Sequence, residues 1–194
     1  MFNTGVHIRD DLVPNKVQDQ LCLLFEDTSF PWFLCEHKNL TSTPREYNAY
    51  KSITNNIFEY MQFTHQFISN EKINSKFVDY PLSLFQTVCT ALNFNSSIIR
   101  IKANLCPKVN FENIDAHQTP HVDTNSNHWV MIYYVNDSDG DTFLFDNNDV
   151  SIVKHRISPK KGRILMFNGN TLHAGMHPRN HDYRIVINFN FIKL

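Results

Sequence analysis

Apolar positions follow two different rhythms along the 194-residue chain. In the first half they recur mostly at helical spacing; in the second they alternate or cluster in short runs, as strands do. Pro14 is placed to open a first helix, PNKVQDQLCLLFED, with Val17, Leu21, Leu24 and Phe25 on one face. FPWFLCEH reads as a short strand. Thr43, Pro44 and Glu46 form a strong helix start, a capping hydroxyl, a proline at the first helical position and a capping-box glutamate. Tyr50, Ile53, Ile57, Met61 and Thr64 keep step behind it, which predicts a helix to about Asn70. A shorter helix is expected after Pro81, ending near Asn93 to Asn95.

From Ser97 onward the segments IIRIKANL, WVMIYYV, TFLFD, VSIVKHRI, RILMF and YRIVINFNFI are rich in β-branched and aromatic residues. Turn signals such as NDSDGD, DNND and SPKKG separate them. Six strands without intervening helices predict an antiparallel double sheet or barrel, with the helices buttressing one face. Nothing marks a linker or repeat. The expectation is one domain, 1–194, divided into helical support (1–95) and a β core (96–194).

Composition narrows the class. Hydrophobic residues make up 42% and charged residues 19%, an ordinary globular balance. A formal net charge of -1 with no Lys/Arg run argues against a nucleic-acid partner. Cys22, Cys35, Cys89 and Cys106 are far apart and form no zinc or disulfide pattern, so they read as free thiols in a reducing compartment. The first residues, MFNTGVHIRDDLVPN, lack the basic-then-apolar plan of a secretory signal, and no apolar run is long enough to span a membrane. A soluble, cytoplasmic protein is expected.

The chemistry concentrates in a few positions. His121-Val122-Asp123 follows the loop CPKVNFENIDAHQTP and precedes the WVMIYYV strand. Residues two apart in an extended segment project to one side, so the imidazole and the carboxylate can share an ion. His173 follows the RILMF strand, two strand crossings later. Two imidazoles and one carboxylate on one side of a metal leave adjacent positions open, which suits non-haem iron(II). An H-x-D triplet alone is a common accident; strand context and the later histidine raise its weight.

Arg184 opens the strand YRIVINFNF, where alternation puts Arg184, Val186, Asn188 and Asn190 on one face and Ile185, Ile187, Phe189 and Phe191 on the other. A guanidinium buried in such a strand needs an anion, and the segment supplies none. A dicarboxylate that chelates the metal at one end could meet it with the other.

With these residues in hand, the stretch from about Ile98 to Phe191 resembles the 2-oxoglutarate/iron(II) oxygenases, most of all their prolyl-hydroxylase branch of microbial or viral type. HVD, IYYVND, GDTFLF, GRILMF, the later His and the strand-opening Arg occur in that family's order. The resemblance implies a mainly β fold with flanking α, a double-stranded β-helix (jelly-roll, cupin-like) buttressed by N-terminal helices. It implies iron(II) on His121, Asp123 and His173, and 2-oxoglutarate on Arg184 and Tyr133, with Asn104 and Asn188 lining that pocket. The cosubstrates would be 2-oxoglutarate and O2, with ascorbate as a stimulant. The reaction would hydroxylate a C–H bond while 2-oxoglutarate becomes succinate and CO2. The nucleic-acid dealkylase branch carries a second Arg six residues after the first; Asn190 stands there.

Hydroxylation of a protein or peptide, prolyl residues first, is the leading expectation. A small metabolite or free amino acid is the alternative substrate, and a non-catalytic metal- or 2-oxoglutarate-binding sensor or structural protein is the alternative class. His117, His128, His155, His177 and His181 are expected outside the ligand set, with His117 and His128 at the surface or, failing that, facing the substrate. Trp129 is expected in the core, DSDGD as a turn, and the 106–120 loop as a mobile lid.

Overall fold

The computed structural model describes residues 5–35, 62–110 and 117–194. Among them the strands are β1 (His7–Arg9), β2 (Phe33–Cys35), β3 (Gln62–Ser69), β4 (Lys72–Ile73), β5 (Ser96–Pro107), β6 (Trp129–Tyr134), β7 (Thr142–Phe145), β8 (Val153–Ile157), β9 (Ile164–Asn168), β10 (His173–Gly175) and β11 (Tyr183–Lys193). The helices are α1 (Asn15–Glu26) and α2 (Asp79–Ala91). No helix among the described residues is long and apolar enough to cross a membrane.

The strands form two antiparallel sheets. The larger runs β1-β9-β6-β11-β5-β3-β2, with β4 paired to β3, and the smaller runs β10-β7-β8. This is the double-stranded β-helix. One apolar cluster lies between the larger sheet and the helices, drawing Leu21 and Phe25 from α1, Leu84, Phe85 and Val88 from α2, and Ile185, Ile187, Phe189 and Phe191 from β11. A second lies between the sheets and includes Val130, Ile132, Tyr134, Leu144, Leu165 and Val186. Central strand β6 is therefore apolar on both faces, which is why its segment reads as a continuous run.

The six strands read from the second half are all present, and α1 and α2 fall where helices were expected. Residues 62–70 depart from expectation. They form β3 and the first residue of a turn, not the end of a helix. Pairing with β2 on one side and β5 on the other overrides the helical spacing. Asn70 and Glu71 adopt positive φ (49° and 62°) and close a two-residue hairpin to β4, the turn geometry that matches strand twist. The helix start at Thr43 to Glu46 lies outside the described residues. The support region is thus partly sheet.

Candidate metal centre and cosubstrate pocket

His121 and His173 face each other across a single antiparallel bridge. Each backbone N–H donates to the other's carbonyl, at 3.0 and 2.9 Å. This bridge joins the segment before β6 to β10 and sets the two rings 4.7 Å apart. Each ring is oriented through Nδ1, which donates to a carbonyl two residues earlier, Thr119 O at 2.9 Å and Thr171 O at 3.1 Å. In that tautomer both Nε2 lone pairs are free. They point toward Asp123, with Nε2 of His121 3.9 Å from Oδ1 and Nε2 of His173 3.6 Å from Oδ2. Burial drives the His173 pKa down to about 4, keeping the ring neutral at pH 7.

Asp123 is clamped. Arg100 on β5 donates Nη2 to Oδ1 at 2.5 Å, while Asn188 and Asn190 on β11 donate to Oδ2 at 3.0 and 2.9 Å. Arg100 Nε also donates to Asn190 Oδ1 at 2.7 Å, closing the network. Burial alone would raise the Asp123 pKa; Arg100, then the imidazoles and Asn190, more than reverse it and hold the carboxyl well below its usual range. Counting lone pairs, Oδ2 is filled by its two amides and Oδ1 keeps one. The donor atoms of His121, Asp123 and His173 lie within 4.8 Å of one another, the one such metal-capable cluster among the described residues. Two imidazoles and one ionised carboxylate with an open side form a donor set that fits iron(II).

The cluster lines one wall of a cavity of about 260 Å³ whose lining also includes Arg100, Lys102, Asn104, Thr142, Arg184 and Asn188. Arg184 is 4% exposed. Its Nη2 donates to Thr142 Oγ1 at 2.8 Å, and its head lies 5.7 Å from the Tyr134 ring centre. Tyr134 Oη donates to the same Thr142 oxygen at 2.8 Å. Arg184 Nε is buried without a partner, and among the described residues no carboxylate pairs with the guanidinium. A buried cation with an unused donor fits an anionic ligand. Gly140 makes room for its stem, since a Cβ there would sit 2.8 Å from Arg184 Cδ and 2.5 Å from the Met176 carbonyl.

Of the residues expected in the site, His121, Asp123, His173, Arg184, Asn104 and Asn188 all line this cavity. Asn188 does so while holding Asp123. Tyr133 does not. It is opposite Ile187 in register, so it points into the helix-side core, where its hydroxyl has no partner and burial raises its pKa. Tyr134, one residue on, takes the place beside Arg184. The expectation failed on strand parity. β6 is apolar on both faces, so the sequence alone did not show which tyrosine turns inward.

Arg100, Asn190, Thr142 and Tyr134 were missed. A signal existed for Arg100, because Arg100, Lys102 and Asn104 alternate with Ile101, Ala103 and Leu105, but a polar strand face reads as solvent-facing. His117 and His128 are 3% and 2% exposed rather than at the surface. His117 packs on Phe143 and Phe145, and His128 lies against Gly169. DSDGD is an irregular loop with a bend at Asp139, whose carboxylate gathers Arg179, Asn180 and His181; these outweigh burial and bring its pKa to about 2. Of the expected lid, 111–116 lie outside the described residues, and its described ends are tied down. Lys108 and Val109 bond to Asp182 O and Pro178 O, and Gln118 to Gly175 O.

Residues 109–192 match the family model of the 2OG-Fe(II) oxygenase superfamily. The matched stretch, somewhat under half of the chain, contains His121, Asp123, His173 and Arg184. Among solved structures, a Trichoplax adhaerens prolyl hydroxylase, in complex with a peptide fragment of the hypoxia inducible factor oxygen degradation domain, is similar at TM-score 0.62. It is 14% identical over 97% of this chain and 84% of its own. A Pseudomonas putida prolyl-4-hydroxylase gives 0.59 at 14% identity, covering 97% and 92%. The non-heme alpha-ketoglutarate-dependent epimerase SnoN from nogalamycin biosynthesis gives 0.61 at 9%, covering 97% and 78%. The prolyl-hydroxylase-like fold is thus shared with an enzyme of different chemistry. No curated protein matches the sequence.

Proposed function

We propose that the chain, acting as one domain, hydroxylates a C–H bond of a protein or peptide, prolyl residues first. In this reading His121, Asp123 and His173 hold the iron, and Arg184 receives the distal carboxylate of 2-oxoglutarate. The carrying observation is the cavity itself: a metal-capable triad on one wall, and a buried arginine with an unused donor on the same cavity. A metal at one end and a cation at the other match a ligand that chelates and carries a second carboxylate. The single-domain reading rests on the helix-side core, which takes residues from both halves of the chain.

Bound iron would supply oxygen activation, coupled to decarboxylation of 2-oxoglutarate, at positions the triad leaves free. The residues do the rest. Thr142 and Tyr134 fix Arg184, so the distal carboxylate meets an ordered guanidinium. The Asp123 clamp leaves one lone pair of Oδ1 for the metal, and the two Nδ1 bonds keep both imidazoles facing it. The inter-sheet core around Ile132 and Val186, both lining the cavity, keeps the floor dry.

The peptide target draws on the two prolyl hydroxylase neighbours and on a cavity lining that extends past the triad to Cys35 and Gln62 on β2 and β3. The test is to incubate the iron(II)-loaded protein with 2-oxoglutarate, O2 and proline-containing peptides, following succinate release and a one-oxygen mass gain. Gain on peptide supports the reading; gain on small metabolites alone transfers it to the metabolite class. Binding of iron and 2-oxoglutarate with no succinate from any substrate would leave the sensor reading.

A further inference from the structure

Charge in the cavity does not balance. Its lining carries three cations, Arg100, Lys102 and Arg184, against one carboxylate, Asp123. Loading the site as proposed leaves the excess in place. Iron(II) would be matched by Asp123 and the chelating carboxylate of 2-oxoglutarate, and Arg184 by the distal one. Arg100 shares Asp123 and is bonded to it and to Asn190. Lys102 is left. Among the described residues its ammonium has no hydrogen-bond or ion-pair partner, although it lines the cavity. Burial, followed by the neighbouring Arg100, lowers its pKa, as it does for a cation taken from water without a counter-ion.

Its position separates it from the cosubstrate pocket. On β5 it faces the cavity with Arg100 and Asn104, opposite Asn188 of β11 and Gln66 of β3. Arg184 stands opposite Cys106, four residues and roughly 13 Å of strand away. Arg184 also turns toward β7 and β6, where Thr142 and Tyr134 hold its head. One carboxylate would therefore not serve both cations. Beside Lys102 are two buried acceptors without partners, Asn188 Oδ1 and Asn104 Oδ1. A cation next to free carbonyl acceptors suits a carboxylate carried on an amide backbone better than a bare anion.

We propose that Lys102 recognises an anionic group of the substrate, the carboxylate of an acidic residue next to the one that is hydroxylated. This rests on the peptide-hydroxylase reading and narrows it to an Asp- or Glu-flanked target.

The test separates the two ideas. The protein, loaded with iron(II) and saturated with 2-oxoglutarate without oxygen, is titrated with N-acetyl-aspartate methylamide and with its neutral asparagine analogue, following the metal-to-ligand absorption band. In wild type the aspartate probe should bind about 10- to 100-fold tighter, the size of a charge-assisted hydrogen bond. The ratio should collapse to about 1 in Lys102→Met and return in large part in Lys102→Arg. Equal affinities in wild type, or a ratio that survives Lys102→Met, overturn the proposal. So does a Lys102→Met variant that weakens 2-oxoglutarate and leaves the probe ratio intact, which assigns Lys102 to the cosubstrate. A second arm offers peptides with a central proline flanked by Asp or Asn. If the probe ratio behaves as expected and no peptide gains oxygen, the anion site stands and the peptide reading fails in favour of a small carboxylate.

Discussion

The two faces of β11 share one backbone and have opposite tasks. Ile185, Ile187, Phe189 and Phe191 enter the helix-side core, Phe189 at 0% exposure and stacked 5.3 Å from Phe85. Arg184, Val186, Asn188 and Asn190 face the space between the sheets, where Arg184 Nε and Asn188 Oδ1 have no partners. The first face is satisfied by the fold itself. The second keeps polar atoms that the fold leaves wanting, and those mark where ligands are expected. Because side chains alternate, a slip of one residue would exchange the faces. The apolar face therefore fixes the register that aims the polar one.

The largest break in this contrast should come from the triad. Wild type is expected to bind one iron(II) per chain, or nickel or zinc after aerobic purification. His173→Ala or Asp123→Ala should reduce this to none at micromolar metal, read by metal analysis. Full retention in a His121→Ala/His173→Ala double variant would move the metal elsewhere.

On the apolar face, Phe189→Ala should lower unfolding free energy by about 3–5 kcal/mol, the usual loss for a buried phenylalanine. Denaturant melts read that loss, and 2-oxoglutarate affinity of the folded fraction should hardly change. On the polar face the pattern reverses. Arg184→Ala should weaken 2-oxoglutarate binding by about 2–5 kcal/mol, or roughly 30- to several-thousand-fold. Unfolding free energy without ligand should stay level or rise, since a buried charge without a counter-ion is removed. Arg184→Lys should recover part of the affinity. Anaerobic titration of the iron-loaded proteins measures both. Near-equal affinity in wild type and Arg184→Ala would make Arg184 a structural residue.

Much of this contrast could be read in the sequence. YRIVINFNFI alternates, so its two faces follow from spacing alone, and the H-x-D triplet places two donors on one side. What could not be read depended on neighbours. QFTHQFIS continues a helical spacing, and only pairing with β2 and β5 makes it a strand. The Asp123 clamp joins Arg100 to positions 23 and 90 residues later, a closure that no local pattern encodes.

Arg100 allows a finer test, because it holds Asp123 of the triad without being one of the expected ligands. Arg100→Met should weaken metal binding about 10- to 100-fold, the typical cost of losing a group that orients a ligand. Arg100→Lys should restore part of it, and a direct metal titration by calorimetry is the readout. Unchanged affinity would mean that Asn188 and Asn190 suffice to orient Asp123.

The smallest expected effect distinguishes two adjacent tyrosines on opposite faces of β6. Tyr133 is buried with its hydroxyl unpaired, so Tyr133→Phe removes a desolvated oxygen and loses no bond. Such a change is expected to be neutral or to stabilise by up to about 1 kcal/mol, with 2-oxoglutarate affinity unaltered. Tyr134→Phe removes the 2.8 Å bond to Thr142 Oγ1, the atom that also accepts from Arg184. It should cost about 0.5–1.5 kcal/mol of stability. It should also weaken 2-oxoglutarate by up to about 10-fold, through a less ordered guanidinium. Paired melts and anaerobic titrations of the two variants measure the difference. If Tyr133→Phe is the one that loses affinity, the assigned parity of β6 is wrong, and with it the pairing of Tyr133 with Ile187 that aims Tyr134 at Arg184.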